Sequence, residues 1–125
     1  MKTSNEGMPA RFKQALRQTE ETRDAAHVAQ LFGAGAKLTN LGGDHGTDAQ
    51  KFWQIYLEQF DGIRSEFTGE IVSERSAALE WKSVGKSKDA KPLEYGGVSI
   101  IEFNSDSITA FRTYYDSAEF VRNGS

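Results

Sequence analysis

The strongest constraint on what this chain can fold into is a change of hydrophobic period near Ile63. Before it, apolar residues recur every three or four positions; after it, every second position. These are the repeats of helices and of strands with one buried face. Pro9 suits a first helical turn, and Phe12, Ala15, Leu16 and Thr19 follow on one face. Asp24 can cap a second helix with Ala25, Val28, Leu31 and Phe32 as its buried stripe and Gly33 and Gly35 at its end. Ala36 to Leu41 reads as a brief strand stopped by Gly42 and Gly43. Thr47 or Asp48 caps a third helix carrying Ala49, Phe52, Trp53, Tyr56 and Phe60, which Asp61 and Gly62 end.

The period-two region predicts four strands, over 63–72, 77–84, 93–103 and 108–115. Their connections are short and polar, which suits consecutive antiparallel hairpins. Helices followed by a meander point to an α+β domain with the helices on one face of a curved sheet. A chain of 125 residues has room for one such core. The expected division is a disordered tail over 1–7, a single domain over 8–120 and a C-terminal tail over 121–125.

Composition narrows the function classes. Fifteen Lys and Arg against 18 Asp and Glu give a net charge of −3 with the signs interspersed, which argues against a nucleic-acid partner. With no cysteine there is no disulfide framework or thiolate nucleophile, and two histidines are few for a zinc site. No apolar run reaches the roughly 18 residues of a membrane span, and the polar opening lacks a signal-peptide core. The expectation is a cytoplasmic protein with no membrane partner. The run Leu41-Gly42-Gly43-Asp44-His45-Gly46 lacks the lysine and hydroxyl of a phosphate-binding loop. Asp44, His45 and Asp48 are too weak a ligand set for a metal. Neither a metal nor a cofactor is expected.

The stretch Tyr95-Gly96-Gly97-Val98-Ser99-Ile100-Ile101-Glu102-Phe103, followed by Ile108-Thr109-Ala110-Phe111-Arg112-Thr113-Tyr114-Tyr115-Asp116, resembles the closing hairpin of SnoaL-like proteins, part of the nuclear transport factor 2-like superfamily. The upstream order is similar as well: Arg23-Asp24-Ala25, Leu31-Phe32, Ala36 to Asn40, then Gly46 before Phe52-Trp53. The resemblance implies a cystatin-like α+β cone, with three N-terminal helices packed on a strongly curved, mostly antiparallel sheet. It also implies an apolar pocket between these layers, reactive groups facing inward, and homodimers paired through the outer sheet face. This scaffold hosts isomerases, polyketide cyclases, epoxide hydrolases, dehydratases and non-catalytic association domains, so the residues must decide the activity.

Ketosteroid isomerases of the superfamily use a carboxylate where this chain has Asn40, and a tyrosine donor where its first helix offers Phe12 and Leu16. Limonene epoxide hydrolases share the asparagine, and Glu80 falls near their first acid. Ala78 stands where their arginine belongs, however, and Thr113 where their second acid belongs. What remains is an inward polar group. If alternation follows the family, Glu80, Tyr95, Ser99, Thr113 and Tyr115 share the concave face with Leu93, Ile101, Phe103 and Phe111. Glu80, buried among Trp53, Tyr95 and Phe111, would have a raised pKa and serve as acid or base. The alternative is an exposed glutamate, or one paired with Lys82. Tyr95 and Tyr115 would donate to a carbonyl or phenolate, or simply complete the core. Asn40, Trp53, Ser99, Phe111 and Thr113 complete the candidate ligand contacts.

Trp81 would then point outward, toward a subunit interface. Arg112 would pair with Glu102 or another strand carboxylate on the same outer face. His27 and His45 could act as bases, although a lone histidine on a helix edge or loop is more simply structural or solvated. The expected protein is thus a homodimer with a pocket for a small, mostly apolar molecule bearing a carbonyl or hydroxyl. Glu80 would catalyse acid–base chemistry there with Tyr95, Tyr115 and Asn40. The alternative is a non-catalytic ligand-binding or association module.

Overall fold

A computed structural model describes residues 7–118 of the chain. The expected tails and residues 119–120 lie outside the described residues, apart from Gly7, the N-cap of the first helix. That helix, α1 (Met8–Thr22), carries Pro9 in its first turn and buries Phe12, Ala15, Leu16 and Thr19, together with Glu20. It ends at Arg23 in the left-handed conformation, φ 63°. The turn aims the Arg23 guanidinium at the carbonyls of Leu57 and Phe60, to which it donates at 3.0 and 2.8 Å. The single turn α2 (Ala26–Ala29) is fixed by two side chains: Asp24 accepts from the Ala26 N–H at 2.9 Å, and Thr19 Oγ1 from the Val28 N–H at 3.0 Å.

The second helix is therefore shorter than its apolar spacing predicts. Phe32 opens a strand, β1 (Phe32–Asn40), and the glycines expected to end a helix lie inside it. Gly35 has φ 80°, and the register slips between Phe32 and Lys37, the geometry of a bulge. A two-residue strand, β2 (Gly43–Asp44), folds back on β1. Next comes α3 (Ala49–Glu58), whose cap Asp48 accepts from the Lys51 N–H at 3.0 Å. It stops before Phe60, which begins β3 (Phe60–Val72). The rest of the meander is β4 (Ser76–Ser87), β5 (Pro92–Phe103) and β6 (Ile108–Tyr115). These strands start and end close to where the period-two pattern puts them.

The six strands run in the order β2-β1-β6-β5-β4-β3. All neighbours are antiparallel except β1 and β6, which are parallel. Two features of the expected architecture are corrected here. Only α1 and α2 precede the sheet, because α3 is inserted after β2. The sheet is open and not strongly curled, with β2 and β3 as its two edges. The α+β arrangement itself stands, with α1 and α3 laid against one face. Phe12, Leu38, Leu57, Leu79, Ile101, Ile108 and Phe111, each at most 2% exposed, form the centre of the core. No helix among the described residues is long and apolar enough to cross a membrane.

Candidate functional site

Strand pairing decides which side chains meet the helices. Cross-strand partners point to the same face. Ser83 is opposite Tyr95, Trp81 opposite Gly97, and Leu79 opposite Ser99. Across the next ladder Ser99 faces Thr113, and Gly97 faces Tyr115. Tyr95, Ser99 and Thr113 are buried, so Leu79, Trp81 and Ser83 turn inward with them. Gly97 leaves room for the indole of Trp81, since a Cβ there would come within 2.8 Å of the ring.

The same pairing puts Glu80 opposite Val98 on the outer face, exposed. The expected burial of Glu80 among Trp53, Tyr95 and Phe111 is thus corrected, and so is the outward Trp81. In a period-two strand one position of offset exchanges the two faces. Lys82 does not pair with Glu80 but stands 4.0 Å from Glu94. On the outer face Arg112 does pair with Glu102, at 2.5 Å. Glu80→Gln should therefore leave both thermal stability and ligand binding as in the wild type, within about 0.5 kcal/mol in denaturant unfolding. A larger loss would return Glu80 to the site.

Between the helices and the inner sheet face lies a cavity of about 480 Å³, within the roughly 300–1,000 Å³ usual for small-molecule sites. Phe12 from α1 and Phe52, Trp53 and Tyr56 from α3 cover one side. From the sheet come Asn40, Ser65, Phe67 and Trp81, then Ser83, Tyr95, Ser99, Phe111, Thr113 and Tyr115. His45, Asp48, Lys51 and Ile55, all exposed, stand at its mouth. Of the candidate residues, Asn40, Trp53, Tyr95, Ser99, Phe111, Thr113 and Tyr115 come together here; Glu80 does not. His27 also lies away from the lining.

Two hydrogen-bonded groups organise the polar part of the wall. The Trp81 indole N–H donates to Ser99 Oγ at 3.0 Å, and Ser99 Oγ lies 2.9 Å from Thr113 Oγ1. The second group is centred on Glu20, 5% exposed, which the sequence reading passes over. Its carboxylate accepts from the Tyr56 hydroxyl at 2.7 Å, the Ser65 hydroxyl at 2.7 Å and the Ser65 N–H at 2.8 Å. Ser83 Oγ is 2.6 Å from Ser65 Oγ. Burial raises the Glu20 pKa, and the bonds from Tyr56 and Ser65 only partly offset this. Burial likewise raises Tyr56 and Tyr95 above the ordinary tyrosine value, with the Glu20 charge adding to both, so both remain protonated phenols. A signal for Glu20 exists in the sequence: it stands four residues after Leu16 and eight after Phe12, on the apolar stripe. A carboxylate at such a position is buried and must find donors.

Among the described residues, two buried side-chain atoms, Asn40 Oδ1 and Trp53 Nε1, have no hydrogen-bond partner, and both residues line the cavity. No group of three or more potential metal ligands occurs among the described residues.

No family model and no curated protein matches the sequence. Solved structures do match in shape. A nuclear transport factor 2-like protein from Anabaena variabilis superposes with a TM-score of 0.79 at 16% identity, over 95% of this chain and 96% of that one. The fold is that of the nuclear transport factor 2-like superfamily. A protein of ketosteroid isomerase-like fold from Catenulispora acidiphila, in complex with trimethylamine, gives 0.76 at 15% identity over 90% of this chain and 92% of the other. TerC, co-crystallised with polyporic acid, gives 0.74 at 12% identity over 89% and 93%. At such identities the likeness carries the nuclear transport factor 2-like fold and not an activity.

Proposed function

We propose that this protein is a SnoaL-like small-molecule-binding protein whose cavity takes a flat, mostly apolar ligand carrying a hydroxyl or carbonyl. The observation that carries this reading is the make-up of the cavity wall. Phe52, Trp53, Phe67 and Phe111 offer ring faces and edges, while Ser65, Ser83, Ser99 and Thr113 offer hydroxyls. Rings bury apolar area with defined geometry, and a few placed polar groups fix orientation. Tyr95, Tyr115 and Asn40 act as orienting groups beside them. An unpaired buried acceptor such as Asn40 Oδ1 is unfavourable by about 1–3 kcal/mol, which a ligand donor would relieve. One protein of the same fold is in complex with trimethylamine and another was co-crystallised with polyporic acid, which supports a small-molecule role.

Among the described lining residues Asp48 is the one carboxylate, and it caps α3 at the mouth. Pairing of two copies through the outer sheet face, where Val84 and Tyr114 are exposed, belongs to the same proposal. The chain's two tryptophans, Trp53 and Trp81, both line the cavity, so a bound aromatic must perturb their fluorescence. Titration with small ketones, epoxides and polyketide-like aromatics should give saturable quenching by at least one compound, together with a raised melting temperature. A panel in which nothing saturates and nothing raises the melting temperature would remove the binding role.

A further inference from the structure

Hydrogen-bond direction at one end of the cavity follows from Glu20. A serine hydroxyl has one proton to give. Ser65 gives its proton to Glu20 Oε2, so the 2.6 Å contact between Ser65 and Ser83 is made with the proton of Ser83. The Tyr56 proton is also given to Glu20 Oε2, and the Ser65 N–H occupies Oε1. What Ser83 and Tyr56 retain for the cavity they line is therefore lone pairs and no proton. The groups facing Glu20 are its neighbour Glu21 on α1, Tyr56 from α3, Ser65 from β3 and Tyr95 from β5. None is cationic, so no positive charge competes for these donors.

We infer that Glu20 is a specificity-determining residue, making this end of the cavity a hydrogen-bond acceptor that selects ligands presenting a hydroxyl donor, a phenol or enol, over those presenting only a carbonyl. The inference rests on the binding role proposed above and names its ligand class. Glu20 itself touches no ligand; it acts through Ser65, Ser83 and Tyr56. Replacing one carboxylate oxygen by an amide NH2 introduces a donor where only acceptors stood. With the amide oxygen kept on the Ser65 N–H, which cannot turn, the NH2 meets the Tyr56 and Ser65 hydroxyls, and these turn their own protons away, toward the cavity or toward Ser83.

The test is calorimetric titration at neutral pH with three probes on one ring frame: 2-naphthol, 2-methoxynaphthalene and 2-acetylnaphthalene. Wild-type protein should bind 2-naphthol about tenfold more tightly than either of the others. In Glu20→Gln that preference should shrink to about threefold or less, or pass to the acetyl compound. In Ser83→Ala, which removes one of the two acceptors and keeps the carboxylate, it should also fall, and this variant serves if Glu20→Gln does not fold. A purely structural role for Glu20 would weaken all three probes alike and leave the ratio unchanged. Equal binding of the three by the wild type, or a preference that survives in the variants, overturns the inference and leaves the cavity as a binding site. Failure of all three probes, together with an empty wider panel, overturns both.

Discussion

Phe111→Ala should lower the unfolding free energy by about 3–5 kcal/mol, the range for removing a fully buried aromatic ring. Phe111 is 2% exposed, and its ring is the meeting point of α1, α3 and the sheet. It lies 5.2 Å from Trp53, 5.8 Å from Phe12 and from Phe52, and 6.0 Å from Phe32, centroid to centroid. The truncation loses the transfer free energy of the ring and the edge-to-face contacts, each worth about 0.5–1.5 kcal/mol beyond area burial. Because Phe111 also lines the cavity, the void left behind joins an existing one and the neighbours have little reason to collapse into it. Urea denaturation measures the loss. A change below about 1 kcal/mol would mean that the aromatic cluster does not hold the helices to the sheet.

Glu20→Ala should lower the unfolding free energy by about 2–4 kcal/mol, because it leaves the Ser65 N–H and the Tyr56 and Ser65 hydroxyls without their acceptor. Glu20→Gln keeps the shape and removes the titration. Its comparison with the wild type isolates the pH term, since the other carboxylates cancel in the difference. Burial raises the folded-state pKa of Glu20 above the ordinary glutamate value of 4.5. The folded protein therefore holds this proton more tightly than the unfolded chain does. The associated stability is fully present below pH 4.5 and is lost as the pH rises through the folded-state pKa. Measured by urea denaturation across that window, the stability of the wild type relative to Glu20→Gln should fall with increasing pH and then level off. A relative stability that climbs with pH would mean that the bonds from Tyr56 and Ser65 outweigh burial.

Much of the layout was legible from period alone. The four meander strands follow the every-second-residue pattern, and α1 and α3 follow the stripes through Phe12 and Leu16 and through Phe52, Trp53 and Tyr56. The second helix is shorter than its spacing predicts because Leu31 and Phe32 continue a helical spacing that the ladder to β6 overrides: the Ile108 N–H donates to the Leu31 carbonyl at 2.8 Å. The face of β4 is also legible in its alternation, against the parity that puts Glu80 inside. Ala77, Leu79 and Trp81 alternate with Ala78, Glu80 and Lys82, and the apolar set is the inward one. Glu20 is hidden: a charged residue on an apolar stripe reads as its edge, and its donors lie 36 and 45 residues away along the chain. An open sheet instead of a strongly curved one has no signature in periodicity.

The space between the helices and the inner sheet face should receive a ring-bearing hydroxyl compound. Crystals soaked with 4-iodophenol and measured for anomalous scattering from iodine test it without reference to any activity. The iodine peak is expected inside the cavity near Trp53 and Phe111, with the phenol oxygen in hydrogen-bond reach of Ser83 or Tyr56. Iodine found only on the outer surface, with the cavity filled by the protein's own side chains, would contradict it.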